Sequence, residues 1–133
     1  MENVKQYYKE LGKLLYAIAI ADGVIQPEER EKLHQLVMKE LAHHEKTYDS
    51  SGMNQAFYVD FEFEKLEKEE PKLNGTVKEF NHFVEKNLQV GDKELIDLSL
   101  KLMENVANAY SKKREKSIIE QVKSNTDFLL SKK

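Results

Sequence analysis

Apolar residues recur at helical spacing along most of the chain. Val4, Tyr7, Tyr8, Leu11, Leu14, Leu15 and Ile18 make one continuous stripe and predict a first helix over residues 3–22. Ala17, Ala19 and Ala21 near its end are small enough to let another helix approach. Gly23 then suits the left-handed conformation that commonly stops a helix. A second helix is predicted over residues 27–42. Pro27 fits its first position, because the missing N–H would be unpaired there. Glu28, Glu29 and Glu31 follow in the first turn, where the helix dipole favours acids. Leu33, Leu36, Val37 and Leu41 form its apolar face. The four-residue connection 23–26 predicts that these two helices are antiparallel neighbours.

Residues 43–73 read less simply. Tyr48-Asp49-Ser50-Ser51-Gly52 has loop chemistry. Phe57, Val59, Phe61 and Phe63 alternate as in a strand, but a lone strand would lack a partner. A helix is therefore expected, ended before Pro71. Thr76-Val77-Lys78-Glu79 matches a capping box and predicts a helix over 77–88 with Phe80, Phe83 and Val84 inside. Gly91 ends that segment. Asp92 is expected to cap a helix over 93–110. There Leu95, Ile96, Leu98, Leu100, Leu102, Met103, Val106 and Ala107 cover most of the circumference, which predicts a central helix. A last helix over 113–130 carries Ile118, Ile119, Val122, Phe128, Leu129 and Leu130. The expected fold is all-α, a bundle of about six to seven helices in one domain over 1–133.

Leu15-Tyr16-Ala17-Ile18-Ala19-Ile20-Ala21 before Glu29-Arg30-Glu31-Lys32 is weakly echoed later. Glu104-Asn105-Val106-Ala107-Asn108-Ala109-Tyr110 precedes Lys113-Arg114-Glu115-Lys116. Both stretches read as a helix end, a turn and a second helix. Two weakly related helix-pair units around one core would follow from this.

Composition narrows the function. A net charge of −3 argues against a general nucleic-acid binder. There is no cysteine, so disulfides, thiolate metal sites and cysteine nucleophiles are excluded. No run approaches the roughly 18 apolar residues of a membrane span. The first residues lack a signal-peptide layout. A cytoplasmic protein without membrane contact is the expectation.

Chemistry concentrates at one junction. Asp22 stands at the C-terminal end of the first helix, where the dipole is negative and an acid is disfavoured by roughly 0.3–1 kcal/mol. Glu28 and Glu29 stand across the short turn. Asp22, Glu28 and Glu29 brought together would favour a divalent cation or raise one carboxyl pKa. The structural reading stands beside this one. Asp22 would accept backbone N–H bonds in an Asx-type turn, and Glu29 would bond back to the Gln26 N–H. Gly23 and Pro27 are the structural turn residues under either reading. The spacing also echoes the second half of an EF-hand loop, but Ile18 and Ile20 occupy the earlier ligand positions.

The run Ala19-Ile20-Ala21-Asp22-Gly23-Val24-Ile25-Gln26-Pro27-Glu28-Glu29-Arg30-Glu31 resembles the signature of the bacterial tellurite-resistance TerB-like family, an A-x-A-D-G-x-I-x-x-x-E pattern joining two helices. The likeness covers about residues 11–41 and extends more thinly over 92–130. It implies an all-helical fold of two pseudo-symmetric units and a divalent-metal or stress-response role. Asp22, Gly23 and Glu29 carry over from the motif, and Glu28 with less support. Tyr110-Ser111 stands where a second Asp-Gly turn would fall, so the chain departs from a two-sided acidic site.

Other candidates are weaker. Glu40 and His44 are four apart, but H-E-x-x-H is absent, and solvated positions are the plainer reading of His34, His43, His44 and His82. Tyr7, Tyr8 and Tyr16 read as packing at the core edge. Residues 112–133 hold seven basic and three acidic residues, which reads first as a solvated helix face. The leading expectation is a non-enzymatic protein binding a divalent cation or a partner protein at the junction. The alternative is a protein–protein interaction module without metal, docking through residues 43–73. A paired-carboxylate hydrolase is third, with no second catalytic group to support it.

Overall fold

The computed structural model describes residues 1–20, 25, 27–110 and 113–131. Among them the chain forms helices α1 (Val4–Ile20), α2 (Pro27–Leu36), α3 (Tyr58–Glu69), α4 (Thr76–Asn87), α5 (Lys93–Tyr110) and α6 (Lys113–Ser131). A π-helical stretch, Val37–Ala42, continues α2, and a 3₁₀ turn, Gln55–Phe57, leads into α3. The described residues contain no strand. One isolated antiparallel bridge, Tyr48 with Asn54, closes the loop between these elements. The architecture is all-α, as the periodicity predicts.

The central helix is α1, not α5. Tyr7, Tyr8, Leu11, Leu14, Leu15, Tyr16, Ile18 and Ala19 of α1 are all buried. The helix touches α3, α4, α5 and α6. On α5, Lys93, Asp97, Lys101 and Glu104 recur at three- and four-residue spacing and stay exposed, so one side of that helix faces water. The three tyrosines of α1 also lie deeper than the core edge. Helix α3 packs most extensively along α1, whereas α2 meets α5. The short connection therefore does not make α2 the main packing partner of α1 among the described residues. Phe128, expected on the apolar face of α6, is exposed.

Gly12 explains why α3 is so close. A Cβ built on it would meet the Val59 carbonyl oxygen at 2.6 Å and the Glu62 Cβ at 3.0 Å. Only a residue without a side chain lets the two backbones approach this far. Val59, Phe63 and Leu66 are thereby pressed onto α1, and the Tyr16 ring meets Phe63 edge-on at 5.8 Å.

Two helix starts differ from expectation. Thr76 is not an N-cap; it is the first residue of α4 and is buried. Gly75, with φ of 75°, holds the cap position without a side-chain bond. A threonine already in helical conformation cannot also take the extended N-cap geometry. Glu79 accordingly gives its backbone N–H to the Gly75 carbonyl at 2.9 Å, and its carboxylate receives Lys13 Nζ at 3.0 Å. Asp92 precedes α5 as expected, but its carboxylate points backwards. It accepts the Gln89 backbone N–H at 2.7 Å and the Met1 nitrogen at 2.8 Å.

Candidate functional site

Asp22, Gly23 and Ser111 lie outside the described residues, as do the side chains of Glu28 and Glu29. What borders the junction is defined. Ile20 ends α1, Ile25 is half-buried, and Pro27 opens α2 as its first residue. Ile18 is fully buried in the α1 stripe, consistent with the missing first half of an EF-hand.

Ile20 and Ile25 line an open cleft of about 740 Å³ together with Tyr16, Arg30, Glu64, Glu67, Lys68, Glu70 and Pro71. The acids come from α3 and its C-terminal cap, so this wall is contributed by the 43–73 segment and not by the helix after the turn. Arg30 of α2 closes onto Glu67 as a fork, Nε to Oε1 at 2.6 Å and Nη2 to Oε2 at 2.7 Å. Such a bidentate pair fixes orientation as well as charge. Burial raises the pKa of the Tyr16 phenol, and Glu70 and Glu67 push it the same way. The phenol is therefore kept neutral beside the acids.

Elsewhere α2 and α3 are tied again. His34 Nδ1 lies 2.6 Å from Asp60 Oδ2. Asp60 is only 7% exposed and is the one buried carboxyl side chain among the described residues. Its desolvation pushes the carboxyl up to about 6; His34 opposes that rise, and Glu64 and Glu31 add to it. Sequence spacing reads His34 as a solvated histidine, whereas one of its ring nitrogens is engaged. Asp60 sits 26 positions away, at the start of the acidic run 60–70, which holds six acids and two lysines. The one local signal is its place among Val59 and Phe63 on the buried side of an amphipathic helix.

The other histidine reading is not assembled by the fold. Glu40 receives Lys101 Nζ at 3.2 Å, while His44 Nδ1 lies 3.6 Å from Glu94. Among the described residues no three His, Asp or Glu side chains form a metal-holding group. The Tyr48–Gly52 segment is a loop built on Asp49. That carboxylate accepts the backbone N–H of Met53 at 3.0 Å, the Tyr58 hydroxyl at 2.8 Å and the Ser51 hydroxyl at 2.8 Å. These donors hold its pKa well below the ordinary range. No helix of the described residues is long and apolar enough to cross a membrane.

No protein-family model, curated protein or solved structure matches this chain.

Proposed function

We propose that this chain is a TerB-like, non-enzymatic cytoplasmic protein that holds a divalent cation at the junction of its first two helices, in a stress-response role of the tellurite-resistance kind. The observation that carries the reading is the Asp22-Gly23-Val24-Ile25-x-x-x-Glu29 motif, with α1 ending before it and α2 opening within it at Pro27. Asp22, Glu28 and Glu29 are all carboxylates, and hard oxygen donors suit Ca²⁺ or Mg²⁺ better than a metal that prefers thiolate or imidazole. The cleft lined by Ile20 and Ile25 adds Glu64 and Glu70, against Lys68, to the acids on this side of the molecule. Arg30 already neutralises Glu67 there.

The test is thermal unfolding of the wild type and Asp22→Ala with Ca²⁺, Mg²⁺ or Zn²⁺ added. The reading expects one cation to raise the wild-type Tm and to leave Asp22→Ala unmoved. An equal rise in both proteins, or none in either, removes it.

A second reading is favoured by one observation. Residues 43–73 present Tyr48 61% exposed and Phe61 46% exposed, although the same segment buries Val59, Phe63 and Leu66. Large aromatic side chains left in water on a segment otherwise packed into the core suit a docking surface without metal.

A further inference from the structure

We infer that Asn74-Gly75, in the loop before α4, is a site of spontaneous covalent modification, where the chain converts its own asparagine to aspartate and isoaspartate through a cyclic imide. The inference is independent of both functional readings above.

The reaction needs a backbone N–H that is free to attack and an asparagine side chain free to turn towards it. The chain holds eight asparagines, and Asn74 alone is followed by glycine. A side chain on the following residue crowds the attacking nitrogen, and glycine has none. Asn74 and Gly75 are both exposed, and residues 71–75 belong to no helix. A Cβ built on Gly75 would meet nothing within 4 Å, so no neighbour closes over the peptide. Among the described residues neither the Gly75 N–H nor the Asn74 side-chain amide has a hydrogen-bond partner. The Gly75 carbonyl is engaged instead, accepting the Glu79 N–H at 2.9 Å as α4 begins.

The other asparagines are held. Asn54 Nδ2 donates to the Ala42 carbonyl at 2.9 Å, and its Oδ1 accepts the Ala56 N–H at 2.9 Å. Asn87 Nδ2 donates to the Phe83 carbonyl at 2.9 Å, and its Oδ1 accepts from Asn3 Nδ2 at 2.9 Å. Asn81, Asn105, Asn108 and Asn125 lie within helices, where a bonded backbone cannot fold into the ring.

The Gly75 nitrogen gives up its proton and forms a bond to Asn74 Cγ. The bond from Cγ to the side-chain nitrogen breaks, and that nitrogen leaves as ammonia with the proton. Water then adds to one of the two imide carbonyls. Opening at Cγ restores the peptide with aspartate at position 74. Opening at the backbone carbonyl routes the chain through the side chain, as isoaspartate. Nothing is oxidised or reduced. Either product sets a carboxylate just before the cap residue Gly75, near the positive end of α4, where the helix dipole favours it. The net charge of −3 becomes one unit more negative. Residues 71–75 have no helical bonds to break, so the extra backbone methylene of isoaspartate is absorbed there and the fold survives.

The test is ageing of the full chain in neutral buffer at physiological temperature, followed by intact mass and peptide mapping. A synthetic peptide of residues 70–80 gives the rate without the fold. The mass gain of an amide-to-acid change is expected first in the peptide holding Asn74, in two chromatographic forms, with circular dichroism unchanged. Isomerisation at Asp22-Gly23 leaves the mass unaltered and cannot imitate it. Gly75→Ala should slow the conversion about tenfold or more. Asn74→Gln should abolish it. A folded chain that converts Asn74 more than about tenfold slower than the free peptide shows that the fold shields the site, and overturns the inference. Earlier loss of another asparagine, or a Gly75→Ala chain as fast as wild type, overturns it as well.

Discussion

His34 Nδ1 and Asp60 Oδ2 are 2.6 Å apart, so a half-exposed histidine of α2 is bonded to a carboxylate buried on α3. Together with the Arg30–Glu67 fork, this contact ties the two helices to each other.

This pair predicts an unusual pH dependence. The folded carboxyl of Asp60 is raised from 3.8 to about 6, so the folded chain holds that proton more tightly than the unfolded chain. The effect is absent below the unfolded pKa, grows into a penalty as pH rises, and is complete above the folded pKa. Each tenfold difference in proton affinity is about 1.4 kcal/mol, so the penalty at neutral pH is at most about 3 kcal/mol. Asp60→Asn should therefore be at least as stable as wild type at pH 7. Urea unfolding should show wild type gaining on it as pH falls from about 7 to about 4. A difference that is flat with pH would contradict the buried charge.

The Gly12 contact predicts a penalty for a residue that usually favours helices. Alanine gains about 1 kcal/mol over glycine in a helix interior. Here its Cβ would meet the Val59 carbonyl oxygen, a backbone atom that cannot swing away, at 2.6 Å. Overpacking of this kind costs about 1–3 kcal/mol. Gly12→Ala should lower the Tm by a few degrees. A Tm equal to or above that of wild type means the two helices have room to spare.

Tyr8 and Glu45 form a second tie, from buried α1 to the loop that begins at Glu45. The Tyr8 hydroxyl donates to Glu45, which also accepts the Thr47 backbone N–H at 3.0 Å. Burial raises the Glu45 pKa, but the Thr47 and Tyr8 bonds outweigh it, so the carboxyl titrates below its ordinary range. A depressed acid stabilises above its unfolded pKa and stops doing so as pH falls through the folded one. Tyr8→Phe should cost about 1–2 kcal/mol at pH 7. The gap to wild type should narrow at acid pH, where Glu45 takes up its proton. Denaturation midpoints of the two proteins at both pH values decide it.

Tyr7 and Ser99 predict an order of severity. Ser99 Oγ donates to the Leu95 carbonyl at 2.8 Å, which commits its hydrogen. The Tyr7 hydroxyl must then donate to Ser99 Oγ across 2.5 Å. Tyr7→Phe leaves Ser99 bonded and should cost about 1 kcal/mol. Ser99→Ala strands a buried hydroxyl hydrogen and should cost about 1–3 kcal/mol. If Tyr7→Phe is the more damaging change in equilibrium unfolding, the donor assignment is wrong.

Periodicity alone sets out the helices of this chain, because apolar spacing is a local property. It predicts α5 over Lys93–Tyr110 and favours a helix over a strand for Phe57–Phe63. It also marks Pro27 as a helix start and Asp22 as an acid at an unfavourable end, which is as far as the candidate site is legible. Tertiary structure decides what depends on two segments meeting. Gly12 is only a weak residue in a strong helix until Val59 stands opposite it. Thr76 looks like a cap until burial draws it inside α4, leaving Gly75 to turn the chain. Asp60 belongs to an acidic run until the fold buries it and His34 becomes its partner. In each case the free energy lies in an approach between segments that only the fold brings together, and no local pattern encodes that distance.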